Sequence, residues 1–172
     1  MNVKLKRADL ADAEKLLEIQ KICFAPHLER YQDFDMSPAM ASLEWVRWRI
    51  ENENFYKILF DNNWVGSINI IRLDEAGNYK LHIMNILPEY QGRGIGQKAI
   101  KLVEDIFSDA TSWCLETLED MPDNRHVYEK VGYTFTGRSE KINDKLTIVF
   151  YEKKNQDYER RFEKGKVNDK RQ

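Results

Sequence analysis

The sequence predicts an α+β domain with three layers (αβα), in which about four helices cover a central, mixed and mostly antiparallel sheet of seven strands. Three observations lead to this prediction. The 172 residues suffice for one domain with a buried core but not for two comfortable ones. Segments with strand patterning outnumber helical ones, and the helical segments are inserted singly or in pairs. The predicted order is β-α-α-β-β-β-α-β-α-β-β.

The first elements are a strand and two helices. NVKLKRA alternates apolar residues with lysines, which predicts an edge strand. Asp9 has the chemistry of an N-cap, and LADAEKLLEIQKICF keeps helical spacing of its apolar residues. A turn-rich stretch is expected over residues 25–38. Ser37 followed by Pro38 then starts a second helix over AMASLEWVRWRIENE.

The middle of the chain predicts three strands and a helix. NFYKILFD and NNWVGSINIIRLD read as strands joined by an Asp-Asn-Asn turn. YKLHIMNIL is a nearly continuous apolar strand, which indicates a central position covered on both faces. GQKAIKLVEDIF keeps the 3.6-residue period of an amphipathic helix.

The last elements close the sheet. TSWCLET predicts a short strand, and PDNRHVYEKVG predicts a helix that stops at Gly132. YTFTGRSEKI and KLTIVFYEK form a hairpin across ND. Residues 1–153 are expected to form the domain. The mostly charged residues 154–172 are expected to be a tail with a loose helical turn or none.

Charge and cysteine content limit the classes of function. A formal net charge of -2 gives no general attraction to nucleic acid or to an anionic membrane. No apolar run approaches the roughly 18 residues that span a bilayer, and the N-terminus lacks the features of a signal peptide. Cys23 and Cys114 match no metal or redox spacing and are expected to be buried structural thiols. The chain is therefore expected to be cytoplasmic, without a metal.

A glycine-rich segment follows the central strand. LPEYQGRGIGQKAI carries three of the chain's eight glycines, with Gly92, Gly94 and Gly96 flanking Arg93 and Ile95. A helix N-terminus has unpaired N–H groups and a partial positive charge, and bare glycines let an anion approach them. The segment suits a phosphate or pyrophosphate. The alternative is a tight strand-to-helix turn that binds nothing.

Two common nucleotide-binding patterns do not match this segment. A Walker loop needs Gly-Lys-Ser/Thr, whereas this chain has GIGQK and no hydroxyl to hold magnesium. A dinucleotide fingerprint needs G-x-G-x-x-G in an early βαβ unit, whereas these glycines are G-x-G-x-G and lie past mid-chain.

Two motifs resemble those of the GNAT N-acetyltransferase superfamily. ILPEYQGRGIGQKAIKLVEDIF resembles its acetyl-CoA-binding segment, whose Gln/Arg-x-x-Gly-x-Gly/Ala signature is filled by Gln91, Gly94 and Gly96. VYEKVGY, which begins one residue before Tyr128, resembles its Tyr-Glu-x-x-Gly-Phe/Tyr box. The predicted order of elements is also the order of this family. The resemblance implies an acetyl-CoA-dependent N-acetyltransferase; a non-catalytic acyl-CoA-binding sensor is the alternative.

The resemblance also implies a cofactor site. The family parts its fourth and fifth strands, and the pantetheine arm adds to the exposed edge through backbone groups. Many members carry an Asn where this chain has Met121; Asn124 substitutes for it or only starts the helix. The implied cofactor-binding residues are Ile86, Leu87, Gln91, Gly92, Arg93, Gly94, Ile95, Gly96, Asn124 and Tyr128.

Transfer to an amine requires an acid and a base. An alkylamine with a pKa of about 10 must lose a proton before it attacks, and the leaving sulfur must gain one. By resemblance Tyr128 is the acid, and Glu116 in CLETLED is the candidate base. Glu116 could equally be a salt-bridged surface carboxylate. His82 or a water is the other candidate base, although a lone His on an apolar strand is more often a satisfied structural residue.

The acceptor side is expected between the two early helices. HLERYQDFDMSP places Asp33 and Asp35 beside aromatic residues, which suits a cationic amine but also fits a solvated acidic loop. Trp45 and Trp48 share a helix face, and Trp45 is expected to pack inward. The predicted partner is a small-molecule or peptide amine, and a homodimer is common among the relatives.

Overall fold

The computed structural model describes residues 2–155, which build one sheet of seven strands in the order β1-β2-β3-β4-β5-β7-β6. All neighbouring strands are antiparallel except β4 and β5, which are parallel. The strands are β1 (Val3–Arg7), β2 (Asn54–Phe60), β3 (Asn63–Arg72), β4 (Asn78–Ile86), β5 (Ser112–Leu118), β6 (Thr134–Lys141) and β7 (Thr147–Lys154).

Four α-helices cover the two faces of the sheet. They are α1 (Ala13–Tyr31), α2 (Leu43–Asn52), α3 (Ile95–Ile106) and α4 (Pro122–Lys130). Helices α1 and α2 pack on one face, and α3 and α4 pack on the other. The predicted three-layer α+β architecture is confirmed. The prediction for the charged tail beyond Asn155 lies outside the described residues.

Helix α1 is longer than predicted. The stretch from Ala25 was expected to be turn-rich, but the helix continues to Tyr31 with Pro26 inside it. Proline removes one helical hydrogen bond, which is why the sequence pattern suggested an end here. Tertiary contacts outweigh that cost, because the buried Tyr31 hydroxyl donates to an Asp120 carboxylate oxygen over 2.6 Å. The extra turns bring Phe24 and Tyr31 beside the sheet.

Helix α2 begins later than predicted. Ser37 does cap a helical turn, accepting from the Ala39 N–H at 3.3 Å, but this turn is a short 3₁₀ segment over Pro38–Met40. The α-helix itself starts after Ser42, whose hydroxyl accepts from the Trp45 N–H at 3.1 Å. A second serine cap therefore divides the predicted helix in two.

Strands β4 and β5 pair only at their beginnings. Their register runs from Asn78 opposite Ser112 to Lys80 opposite Cys114, and then the two strands part. On its other side, β4 stays paired with β3 as far as Ile86. The second half of β4 therefore has an edge that is not paired with a neighbouring strand, although β4 lies in the middle of the sheet.

A β-bulge lies where the two strands part. Asn69 of β3 is opposite Ile83, whereas the next residue, Ile70, is opposite Leu81, so His82 is an extra residue in β4. Leu81 and Ile86 confirm the shift, because both pack in the core under α3 although an odd separation in a regular strand would put them on opposite faces. A bulge bends its strand and increases the local twist. The bulge therefore explains why β4 turns away from β5.

Gly66 lets β3 and β4 approach closely at the end of this edge. A methyl group on Gly66 would lie 2.1 Å from the Asn85 carbonyl oxygen, which is backbone and cannot move aside cheaply. We expect Gly66→Ala to lower the free energy of unfolding by about 3 kcal/mol, as overpacking does. Chemical denaturation measures this loss.

The matched control for Gly66→Ala is Gly96→Ala. A methyl group there would make ordinary van der Waals contacts, with the flexible end of Met84 at 3.4 Å and with Val127 at 3.9 Å, within a helix that favours alanine. The control should unfold at the same denaturant concentration as the unmodified chain or a higher one. Equal stability of the two variants would contradict the close approach at Gly66.

Candidate active site

A cavity of about 740 Å³ opens where β4 and β5 part. His82 and Ile83 line it from β4, and Glu116 to Leu118 line it from β5. Residues of α1 and α2 line it on one side of the sheet, and Asn124 and Tyr128 of α4 line it on the other. The opening is therefore a passage between the two helical layers, with the size of a ligand site.

The glycine segment forms a bare cradle at the start of α3. Gly92 and Gly94 have φ angles of 72° and 73°, and Gly94 is the N-cap of the helix. A methyl group built on either glycine would meet nothing within 4 Å. Among the described residues, none accepts a hydrogen bond from the N–H groups of residues 92–97. These groups can hold an anion as large as a pyrophosphate.

Side chains of the same segment fasten the cradle to β4. The Gln91 side-chain amide donates to the Ile86 carbonyl over 2.9 Å. Arg93 donates to the Glu89 carbonyl over 3.0 Å and lies over the Tyr90 ring, 5.5 Å from its centroid. Gln91 thus fixes the cradle relative to the parted strand.

The end of β4 has one backbone N–H on its unpaired edge. The Leu87 N–H donates to the Val65 carbonyl of β3 over 2.8 Å, so it is engaged within the sheet. Because successive residues of a strand direct their backbone groups to opposite sides, the Ile86 N–H faces away from β3, toward the gap. Of the two predicted backbone contacts, Ile86 is therefore the one whose N–H lies on the unpaired edge of β4, although Ile86 is not part of the cavity wall.

Tyr128 and Asn124 come to the cavity from α4. Tyr128 is buried, and burial raises the pKa of its phenol to about 12, so the hydroxyl stays protonated. No hydrogen bond joins this hydroxyl to a described residue. Asn124 is on the same wall, with its amide nitrogen 3.8 Å from the Met121 sulfur.

Glu116 lies on the cavity wall and is also salt-bridged. The Lys80 ammonium donates to a Glu116 carboxylate oxygen over 2.8 Å. The sequence left open whether Glu116 lies in the site or in an ion pair, and the structure shows that it lines the cavity and forms an ion pair as well. Its charge is matched by Lys80, which is not itself part of the cavity wall.

His82 is the bulge residue, and it is not the satisfied structural histidine that the sequence suggested. Its Nδ1 atom is buried without a hydrogen-bond partner among the described residues. Burial, together with the positive charges of Arg49 and Lys80, lowers its pKa to about 4. The imidazole that lines the cavity is therefore neutral at pH 7.

The acceptor side of the cavity corrects the prediction for Trp45. The indole does not pack inward: it is 46% exposed and stacks on Trp48, with ring centroids 4.9 Å apart. The buried face of α2 is formed by Val46 and Ile50, one position round the helix from Trp45. The Arg49 guanidinium lies 4.9 Å from the centroid of the Trp45 ring, which therefore stays at the cavity mouth.

Sequence reasoning missed two parts of the wall. The extension of α1 contributes Phe24 and His27, and the turn between β6 and β7 contributes Ile142 and Leu146. The helical spacing of the aromatic residues Phe24, His27 and Tyr31 was a usable signal that Pro26 obscured. The local sequence of the β6–β7 turn did not predict its contact with α1.

The two cysteines are free and partly buried. Burial raises the pKa of the Cys23 thiol to about 11 and also raises that of Cys114. Neither is poised as a thiolate nucleophile. Within residues 2–155, no group of three or more His, Cys, Asp or Glu side chains is arranged to hold a metal ion. None of the helices described here is long and apolar enough to cross a bilayer.

Comparisons with known proteins agree with this geometry. A model of the acetyltransferase (GNAT) family matches residues 13–133. No curated protein sequence matches the chain. Among solved structures, spermidine N-acetyltransferase from Vibrio cholerae in complex with CoA and spermine is similar, with 16% identity and a TM-score of 0.72 over 91% of this chain and 97% of that one.

Two further structures show the same fold. The PaiA N-acetyltransferase from Thermoplasma acidophilum in complex with coenzyme A has 17% identity and a TM-score of 0.68, over 90% of this chain and 100% of that one. The RimL ribosomal alpha-N-protein acetyltransferase in complex with coenzyme A has 14% identity and a TM-score of 0.72, over 90% and 94%. At these identities the likeness establishes the fold.

The lowered pKa of His82 predicts an acid-sensitive fold. The folded chain binds this proton less readily than the unfolded chain, so its contribution to stability is complete above pH 6.5 and is lost as the pH falls toward 4. Between pH 7 and 5 we expect a loss of about 2 kcal/mol from this group. His82→Gln should be less sensitive by that amount in denaturant titrations at both pH values. An equal loss in both proteins would contradict a buried neutral imidazole.

Proposed function

The chain belongs to the acetyltransferase (GNAT) family, and on that premise we propose that it transfers the acetyl group of acetyl-CoA to the primary amine of a small molecule or peptide. The observation that carries the proposal is the cradle of unpaired N–H groups over residues 92–97, fastened to a parted strand and beside a cavity that contains a protonated tyrosine. A cytoplasmic location and a homodimer remain predictions of the sequence.

The described residues fit a coenzyme A thioester. The bare start of α3 suits the diphosphate, because two glycines leave open space where other residues would place a side chain. The unpaired edge of β4 suits the extended pantetheine arm, which can add to a strand as a further strand does. Asn124 is placed on the opposite wall, where its amide can bind the same arm.

Tyr128 is the proposed acid. The bound thioester supplies an activated acetyl group, and its sulfur leaves with negative charge. The Tyr128 hydroxyl can donate to that position, because burial keeps it protonated and no described residue engages it. The Ile86 N–H, which lies on the unpaired edge of β4, is the proposed donor to the carbonyl oxygen as charge develops there.

Glu116 is the proposed base. Lys80 fixes the carboxylate on the cavity wall, where it can accept the amine proton directly or through a water. The neutral His82 imidazole offers a second acceptor for the amine N–H and orients it. The amine would then approach from the α1–α2 side of the passage, opposite the cradle.

Binding at the cradle is tested with Gly94→Ala. The substitution strains a backbone with φ of 73° and adds a methyl group to the anion site. Isothermal calorimetry should show acetyl-CoA binding to the unmodified chain and about tenfold weaker binding to the variant, because the added methyl group occupies space where the diphosphate would lie; tenfold corresponds to about 1.4 kcal/mol of binding free energy.

Gly137→Ala is the matched control. Gly137 has φ of 84° and equally open surroundings, but it lies in β6, outside the cavity wall. Both variants should lose similar stability, and only Gly94→Ala should lose affinity. If acetyl-CoA gives no heat with the unmodified chain, the proposed function is wrong.

The role of Tyr128 is tested by removing its hydroxyl. Tyr128→Phe should lower kcat for amine acetylation about 100-fold, the scale of a lost general acid, and leave the Kd for acetyl-CoA within about twofold. Thiol release measures the rate. Tyr79→Phe is the control, because Tyr79 is buried away from the cavity and should keep its kcat. Unchanged turnover of Tyr128→Phe would remove the residue from the mechanism.

A further inference from the structure

The mouth of the cavity gathers exposed apolar side chains. Five of the eleven exposed large hydrophobic residues in the described chain line this one cavity. They are Phe34 (59% exposed), Met36 (78%), Met40 (51%), Trp45 (46%) and Ile142 (39%). Soluble proteins rarely leave such side chains grouped in water without a ligand for them. We call these five residues the apolar rim.

The wall beyond the apolar rim is also apolar. Phe24 and Tyr31 of α1, Val46 of α2, Ile83 of β4 and Ile148 of β7 line it. A ligand that fills this space exchanges water for hydrocarbon contacts, which favours an apolar body.

The charged side chains of the inner wall are matched in pairs. Glu116 is matched by Lys80 at 2.8 Å. Arg49 donates to both carboxylate oxygens of Glu53 at 2.9 and 2.8 Å, and this pair is largely buried. A second ammonium would thus find no uncompensated carboxylate on the inner wall, and a ligand carboxylate would find no unengaged guanidinium.

The remaining carboxylates lie at the entrance. Asp33 accepts from the Met36 N–H at 3.1 Å, and Asp35 follows it in the same connection. Both line the cavity among the residues of the apolar rim. They attract a single cationic amine toward the mouth without meeting it at the inner wall.

A contact beside the cavity joins the β6–β7 turn to the end of α1. The Asn143 side chain in the β6–β7 turn donates to the Tyr31 carbonyl at the end of α1 over 3.1 Å. Arg30 and Tyr31 both bind Asp120, which holds the end of α1 near α4. The entrance is therefore framed on two sides, which suits a small molecule better than an extended chain.

From these observations, and resting on the proposed function, we infer that the acceptor is a small monoamine with an apolar body, which the apolar rim and the inner wall bind. Polyamines, amino acids and other acceptors with a second charge are poor substrates. The two methionines of the rim are flexible, so bodies of different shape are accepted.

The test compares three acceptors of one chain length. Hexylamine, diaminohexane with an amine at each end and aminohexanoate with a carboxylate at the far end differ only in a methyl, an ammonium or a carboxylate there. Thiol release from acetyl-CoA by the full chain should give kcat/KM for hexylamine about tenfold or more above the other two. A diamine or amino acid that equals hexylamine would overturn the inference.

Variants locate the effect at the apolar rim. Met40→Ala should raise KM for hexylamine about fivefold with little change in kcat. This is the effect of losing a contact that is equally strong in the ground state and in the transition state. Leu73→Ala is the matched control, because Leu73 is also 51% exposed but does not line the cavity. Met40→Glu should shift the preference toward the diamine. Equal KM for Met40→Ala and the control would contradict binding by the rim.

The outcomes separate this inference from the proposed function. If the diamine, the amino acid or only a short peptide is acetylated well, the inference is wrong while the acetyltransferase function stands. If acetyl-CoA binds but no amine or peptide in the panel releases thiol, the proposed function fails, and the inference fails with it.

Discussion

The parting of β4 from β5 is the constraint on which the rest of this structure depends. The two strands pair for three residues and then diverge at a bulge formed by His82. A continuous sheet would seal one helical layer from the other. The divergence instead creates a passage whose walls are strand edges, and it leaves backbone groups of β4 without a neighbour. The cradle at the start of α3 and the wall of α4 are on one side of that passage, and α1 and α2 are on the other. Two reactants can therefore approach one point from opposite faces.

The electrostatics of the two sides differ in kind. On the α3 side the positive potential comes from backbone N–H groups and the helix terminus, which need no desolvated lysine or arginine. On the inner wall of the passage, charged side chains are matched by a partner, as Glu116 is by Lys80, whereas Asp33 and Asp35 lie at the entrance. Beyond these charged groups the wall is hydrocarbon. Under the proposed function, the backbone geometry of the cradle serves the anionic group, and exclusion of water from the hydrocarbon wall serves the apolar body of the acceptor.

Much of the fold, and the backbone geometry of the glycine segment, followed from sequence. The glycines predicted the cradle because positive φ angles and open space are local requirements. Patterning predicted the inner strands because their apolar residues are buried, whereas β6 is exposed along its whole length and followed from the hairpin pattern. The bulge was not predictable, since one extra residue in the apolar run YKLHIMNIL changes no composition. The true end of α1 was missed because Pro26 suggested an earlier one. Proline disfavours a helix locally, but tertiary contacts of Tyr31 outweigh that cost, and they are not visible in the local sequence pattern. Trp45 was misassigned because it lies one position from Val46 on the helix, and which of these neighbouring apolar residues faces the sheet is set by tertiary packing.

The contact between Asn143 and the Tyr31 carbonyl has an evolutionary consequence. The contact joins the β6–β7 turn to the last residue of α1, and the connection after α1 lines the entrance beside it; none of these belongs to a paired strand or to the glycine loop. Insertions and deletions in such segments leave sheet register intact. Changes in these segments could therefore alter which acceptor is bound. The cradle at the start of α3, which we propose binds acetyl-CoA, would stay unchanged.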